Sequence, residues 1–419
     1  MIDFHNHNGQ QASSADQTAT SANIDPGTTI NQLLPSLLEA VRFNLEMDVG
    51  FISRFKNGFR EFLHVSSEGL QAAPVPGDSD PLDESACIRV VSNQAPKLVH
   101  DAQTHPTLMD LPAIRALGVR THMSVPIPSG NGDVFGTLCC YSSHYREAMD
   151  ERDIGFMSVI ADLIGATLQK EQRVLDDISD RRDYIRNVLN SDGLQMAWQP
   201  IVNSITGNIV AVEALARFQT DPYRPPNEWF DEAVKLGIGT ELEKSAFAKG
   251  MAIGEHLPKN IYVGCNLSGT TFIEPTFQTF LKQQSLEQTV LEITEHDVIV
   301  DYDSLTSSLS GFRNQGLRLA IDDFGDGYAG FRHIVELNPD TIKLDMSLVR
   351  NINHNPTIQA VVKALVGFAE DRNTQLLAEG VETQAELDTL RSLGIRLVQG
   401  YLFYRPMPQS QLLELFHST

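Results

Sequence analysis

Nothing in the 419 residues approaches the run of about 20 apolar residues that a membrane-crossing helix requires. The first residues, Met1-Ile-Asp-Phe-His5, also lack the basic and apolar parts of a secretion signal, so a cytoplasmic protein without membrane contact is expected. Cysteine is scarce: Cys87, Cys139, Cys140 and Cys265 stand alone, none at the spacing of a zinc ligand set. Cys139 and Cys140 are neighbours on an expected strand and so point to opposite faces, and all four read as small buried apolar residues in a reducing compartment. Basic residues are short too. Against 54 Asp and Glu stand 32 Lys and Arg, a formal net charge of -22, which repels polyanions and excludes broad contact with DNA, RNA or anionic lipid. That field does not exclude a small anionic ligand held through metal ions.

What is present suffices for two or three domains, since 42% of the chain is apolar. Residues 1–29 are rich in Ser, Ala, Asn, Gln and Thr and read as a disordered leader, with His5 and His7 solvated. An amphipathic helix follows from Ile30, then strands over 49–55 and 61–65, a helix over 84–91 and a strand over 97–100. Two more strands, over 122–127 and 134–141, flank the turn signal Ser-Gly-Asn-Gly-Asp. This order describes an antiparallel sheet with helices packed on it. Through Ser124-Val-Pro-Ile127, the glycine turn and Val134-Phe-Gly-Thr-Leu-Cys139, residues 30–170 resemble a GAF domain, which implies an α+β sensor fold. The Asn-Lys-Phe-Asp-Glu stretch of cyclic-nucleotide-binding GAF domains is missing. An unidentified small-molecule ligand near Cys87, His100 or Asp101 and a purely structural or dimerising role both stay open.

Residues 150–190 keep helical periodicity, and from Gln169 onward the helix is charged with an apolar stripe near the period of a two-helix seam. Residues 171–180 therefore read as a connector helix, which either pairs with its twin in a homodimer or lies on the domain that follows.

The remaining domain, residues 181–419, repeats one pattern: a short apolar run that ends in a charged or amide side chain. In Arg318-Leu-Ala-Ile-Asp-Asp-Phe324 the run Leu319-Ala-Ile321 reads as a buried parallel strand ending in Asp322 and Asp323. Two carboxylates at one strand tip repel, and a divalent cation between them is the economical remedy. Other runs end in Glu213, Asn266, Glu292, Lys343, Glu379 and Gln399, at intervals of one strand-helix unit. Seven such tips predict a TIM-like (β/α)8 barrel with its chemistry at the C-terminal rim. The turn over 203–207 is too short for a helix, so the first strand is expected antiparallel to the second.

These tips lie in stretches that together resemble an EAL domain, the bacterial phosphodiesterase that opens cyclic di-GMP to linear pGpG. In order they are Gln199-Pro-Ile201, Glu213-Ala-Leu-Ala-Arg217, Asn266-Leu-Ser268, Glu292-Ile-Thr-Glu295, Asp322-Asp-Phe-Gly325, Ile342-Lys-Leu-Asp345, Ala378-Glu-Gly-Val-Glu382 and Gln399-Gly-Tyr401. The resemblance implies that Glu213, Asn266, Glu292 and Asp322 hold one divalent cation, and that Asp322, Asp323 and Glu379 hold a second. Oxygen donors of this kind suit Mg²⁺ or Mn²⁺. It further implies catalytic roles for Lys343 and Glu379, either of which could accept the water's proton, and substrate contacts for Arg217, Gln399 and Glu382. Glu295 would tether the loop after Asp323.

Two stretches depart from the family pattern. Residues 325–331 read Gly-Asp-Gly-Tyr-Ala-Gly-Phe where Gly-Thr-Gly-Tyr-Ser-Ser-Leu is common, and Ala216 stands where Leu is usual. No Gly-Gly-Asp/Glu-Glu-Phe cyclase motif occurs. The expected function is metal-dependent cyclic di-GMP hydrolysis tuned by the GAF domain. The alternative is a weak or inactive cyclic di-GMP receptor that signals through protein contacts.

Overall fold

The computed structural model of the chain describes residues 26–68, 73–130, 132–325 and 330–417. Residues 1–25 of the expected leader, with His5 and His7, lie outside these, as does the loop 326–329 that carries Asp326. The chain divides into two compact units between Asp177 and Ile178. None of the described helices is long and apolar enough to cross a membrane.

The first unit is built on strands β1 (Val49–Lys56), β2 (Phe59–Ser67), β3 (Ser79–Pro81), β4 (Leu98–Val99), β5 (Thr121–Pro128) and β6 (Val134–Ser142). They form one antiparallel sheet in the order β3-β2-β1-β6-β5-β4. Side chains alternate along a strand, and in this sheet both faces are apolar, so each must be covered. On one face Ile52, Val125, Leu138 and Cys140 pack with Leu34, Leu38 and Val41 of the helix Pro26–Asn44 and with Met157, Ala161 and Ile164 of the helix Glu151–Asn190. On the other, Phe51, Phe62, Cys139 and Tyr141 pack with Cys87 and Val90 of the short helix Ala86–Val91 and with Leu108, Ile114 and Val119. Ser85 starts that short helix, its hydroxyl accepting the Ile88 amide at 3.2 Å.

The second unit is a closed barrel. Its strands are β7 (Leu194–Asn203), β8 (Ile209–Phe218), β9 (Tyr262–Asn266), β10 (Thr289–Thr294), β11 (Arg318–Phe324), β12 (Thr341–Leu344), β13 (Gln375–Ala378) and β14 (Leu397–Val398). β7 runs antiparallel to both neighbours and the other pairs are parallel, the arrangement that the short turn dictates. In that turn the Asn203 side-chain oxygen accepts the amides of Ile205 and Thr206, and Gly207 takes a left-handed conformation. Val212, Val263, Leu291, Leu319, Ile321, Ile342 and Leu376 face outward into one apolar layer under the surrounding helices. The intervening positions point into the barrel.

The end of the helix Glu151–Asn190 packs on its own barrel from Ile178 onward: Ile185 and Val188 are buried with Phe218, Trp229 and Leu242, and Arg181 pairs with Glu232 at 2.6 Å. Trp229 is fully buried, its ring stacked on Phe218 at 4.7 Å and capped by the Arg224 guanidinium at 4.7 Å. Trp229→Ala empties that position and should cost about 3 to 5 kcal/mol of stability, read by denaturant unfolding of the full chain.

Candidate metal-dependent active site

The inward positions of a barrel this size are ordinarily filled by branched apolar side chains. Here the strands bring Glu213, Glu292, Asp322 and Lys343 inward, and Glu379 and Gln399 follow directly after β13 and β14. Glu213 and Glu292 lie inside their strands rather than at the tips, since β8 continues to Phe218 and β10 to Thr294. β11 likewise runs through both aspartates to Phe324 instead of ending at them. Apolar runs alone could not show this, because an inward charged residue interrupts the run without ending the strand.

Lys343 is the centre. Its side chain is 1% exposed, and Nζ lies 2.8 Å from Glu292 Oε2, 2.9 Å from Asp322 Oδ1, 2.9 Å from Glu379 Oε1 and 3.3 Å from Glu213 Oε1. Burial works against its charge, but the four carboxylates outweigh that and hold the ammonium protonated well above the usual range. Gln399 donates from Nε2 to Glu213 Oε2 at 2.6 Å and to Gln199 Oε1 at 3.2 Å, while Gln199 donates to the Tyr404 carbonyl at 3.0 Å. Asn266 donates to Glu213 Oε1 at 3.3 Å, which leaves its amide oxygen uncommitted to that contact. Burial alone would raise Glu213, yet Lys343 and the Gln399 hydrogen bond keep it below the usual carboxylate range.

Asp323 departs from strand geometry. Its φ is 56°, and the register between β11 and β12 shifts at this point, between Ile321 and Phe324. The kink breaks the alternation that would send consecutive side chains to opposite faces, so carboxylate oxygens of Asp322, Asp323 and Glu379 come within 4.8 Å of one another. Oxygens of Glu213, Glu292 and Asp322 form a second such group, with Asp322 common to both. Beside them the Gly325 amide donates to Glu295 Oε2 at 3.3 Å, and Glu295 is 1% exposed.

These residues fit divalent cations. The donors are oxygens only, which suits Mg²⁺ or Mn²⁺ rather than a soft ion. Fully ionised, the five carboxylates against one ammonium would carry four excess negative charges, the charge that two such cations would cancel. Glu379 Oε1 is buried and, among the described residues, its one close polar neighbour is Lys343 Nζ at 2.9 Å. Burial first, then like charge, pushes Glu292 up to about 8, Asp323 to about 6 and Glu379 well above the usual range. A cavity of about 290 Å³ lies on the opposite, N-terminal side of Glu292 and Lys343, where the inward residues Ala211, Gly264 and Ala320 are small.

Two of the expected site residues are not brought to the cluster. Glu382 is half exposed and pairs with Arg350 at 3.1 Å. Arg217 shares the inward face of β8 with Glu213 but lies four residues further along, beside Asn266 on a cavity also lined by Met196, Pro226 and Phe230. Its Nη1 donates to the Ala216 carbonyl at 2.8 Å, and no carboxylate among the described residues pairs with it. Asp345 caps the helix Met346–Val349 instead of joining the site.

Sequence reasoning overlooked Gly264. A Cβ there would stand 2.0 Å from Glu292 Oε1, so the glycine is the space that the carboxylate occupies. A glycine inside the apolar run Tyr262-Val-Gly-Cys265 was the available signal. The place of Gln199 in the Gln399 network had no sequence signal beyond its motif.

An EAL domain model matches residues 182–406 and a GAF domain model residues 29–168. The chain is 29% identical over 290 residues to the probable cyclic di-GMP phosphodiesterase PdeG of Escherichia coli, covering 66% of this chain and 56% of that protein. It is 32% identical over 236 residues to the cyclic di-GMP phosphodiesterase PdeR of the same organism, covering 54% and 35%. The chain thus spans about half or less of the length of these curated relatives. Among solved structures, the PaMucR phosphodiesterase in complex with c-di-GMP matches at 26% identity with a TM-score of 0.50, covering 54% of this chain and 97% of that one.

Two outcomes follow from the site's packing and charge. Gly264→Ala should force Glu292 out of its layer and weaken Mn²⁺ binding by about 10- to 100-fold, with an unchanged far-ultraviolet circular dichroism spectrum. Titration calorimetry of the variant checks this. In the metal-free protein, Glu292 and Asp323 hold protons up to about 8 and about 6, whereas an unfolded chain releases them near about 4. The folded state binds the extra protons in that window, so its stability should fall as pH rises from about 5 to about 8. Thermal melts with chelator should show the fall, and Mn²⁺ should flatten it. A chelated protein that gains stability toward pH 8 would contradict the assignment.

Proposed function

The chain belongs to the EAL family, and on that premise we propose that its barrel hydrolyses cyclic di-GMP to linear pGpG with two divalent cations, Mg²⁺ or Mn²⁺. One observation carries the reading: Glu213, Glu292, Asp322 and Glu379, scattered over more than 160 residues of sequence, aim their carboxylates at one point beside Lys343. In this reading Glu213, Asn266, Glu292 and Asp322 hold one cation and Asp322, Asp323 and Glu379 the other. When bound, such a pair supplies Lewis-acid charge to the phosphodiester and acidifies the attacking water.

The chain's own residues do the rest. Lys343 keeps the carboxylates from repelling one another and faces the charge that develops on the phosphate. Glu379 is the most accessible of the acids paired with it, its side chain 18% exposed against 3% for Glu292, and its carboxylate takes the proton of the attacking water. Water oxygen joins phosphorus, one phosphate ester bond breaks, the freed ribose oxygen takes up a proton from solvent, and a linear dinucleotide leaves. Arg217, with no carboxylate partner among the described residues, offers its planar fork to a phosphate oxygen of the substrate. Gln399 contributes by fixing Glu213, Glu295 by holding the backbone after Asp323, and Glu382 is available to the substrate only after release from Arg350. The GAF unit tunes the rate through the helix Glu151–Asn190, which is continuous from one unit into the other.

Purified protein with cyclic di-GMP and Mg²⁺ or Mn²⁺ should release pGpG. Asp322→Asn should lower turnover by at least about 100-fold with the fold retained. Arg217→Ala should raise KM more than it lowers kcat. Absence of product with both ions at saturating substrate would favour a receptor over an enzyme. Removal of residues 1–169 should change the rate and leave metal dependence intact, and an unchanged rate would refute regulation by the first unit.

A further inference from the structure

Three buried side chains on one face of the first unit's sheet have no part in the barrel's chemistry: Cys87 on the helix Ala86–Val91, His122 on β5 and Cys139 on β6. Their positions along the chain show no metal-ligand spacing, yet the fold gathers them. Cys139 Sγ lies 3.2 Å from His122 Nε2, a ligand atom from each of the three lies within 4.8 Å of the others, and none is more than 3% exposed. We propose that Cys87, His122 and Cys139 bind one thiophilic divalent cation of the zinc type, with a fourth coordination position open to the adjoining cavity.

Donor chemistry selects the ion. Two thiols and an imidazole suit zinc, unlike the oxygen-only set of the barrel. Tetrahedral zinc with bonds of about 2.0 to 2.3 Å separates its donors by about 3.5 to 3.8 Å, a spread these three already approach.

Charge selects the valence. Two thiolates and a divalent cation sum to zero, whereas a monovalent ion would leave a buried net charge. The nearby Arg60 guanidinium does not upset that balance, since it is matched by Asp80, whose Oδ1 accepts from Nε at 2.9 Å.

Surroundings support the same assignment. Arg60 Nη1 donates to Cys87 Sγ at 3.1 Å, the type of contact that steadies a metal-bound thiolate. His122 Nδ1 and the Tyr141 hydroxyl are buried and have no hydrogen-bond partner among the described residues. Both side chains, with Arg60 and Cys139, line a cavity of about 290 Å³. A water or small ligand in the fourth position would enter from this cavity.

Co²⁺ is the probe, added to the reduced full-length protein. The barrel's carboxylates also bind it, but only sulfur ligands give a thiolate-to-cobalt charge-transfer band. That band should saturate at one equivalent, disappear on addition of Zn²⁺, fall by about half or more in Cys87→Ser and in Cys139→Ser, and be lost when both are replaced. It should persist in Cys140→Ala, whose sulfur belongs to the opposite face. On the unmodified chain, Zn²⁺ should slow alkylation of Cys87 and Cys139, mapped by mass spectrometry, and leave Cys140 and Cys265 unchanged. Absence of the band in the unmodified protein, a band that survives replacement of both cysteines, or alkylation of Cys87 and Cys139 indifferent to Zn²⁺ would overturn the proposal.

Discussion

The Lys343 ammonium, enclosed by four carboxylates inside the barrel, is the constraint to which the second unit answers. A lysine buried this deeply is tolerable only when paired, and the pairing here is lopsided, with more negative charge than one ammonium can balance. Every carboxylate therefore has to be held in place against its neighbours' repulsion. Glu213 is held by Gln399 and Asn266, and Glu292 by the hollow that Gly264 leaves for it. The excess charge is what suits the place to cations. A fully satisfied network would have no reason to bind anything.

Strand alternation serves the two units differently. In the barrel it separates an outer apolar layer, which carries the packing energy, from inner positions that are free to be charged or small. The left-handed backbone at Asp323 departs from it, costs energy and puts two consecutive carboxylates near the same point. Along β6 of the first unit alternation divides adjacent cysteines. Cys140 lies among aliphatic side chains, while Cys139 lies beside His122, close to Cys87 and Arg60. One residue of offset separates an inert thiol from one in a polar cluster.

Much of the fold was legible along the chain. The strand-and-helix alternation, the antiparallel start forced by the turn at Asn203, and the hairpin of β5 and β6 were all readable, because each depends on residues close in sequence. The site was legible as a set of charged residues that interrupt apolar runs, but their depth was not. Glu213 and Glu292 read as strand ends and prove to be strand interiors, since neighbouring strands decide how far pairing continues. The pairing of Glu382 with Arg350 and the place of Arg217 beside Asn266, four residues beyond Glu213 on β8, were equally out of reach.

By itself, then, the sequence determined which residue types recur at which intervals, and so the fold class and the identity of the acids, amides and lysine at stake. These are local properties, carried by periodicity and turn chemistry. Only the tertiary structure decided that one lysine would face four acids, that a glycine would yield its space to Glu292, and that two cysteines and a histidine without ligand spacing would meet on one face of a sheet. Such meetings depend on closing the barrel and stacking the sheet, which bring together side chains that no sequence interval relates.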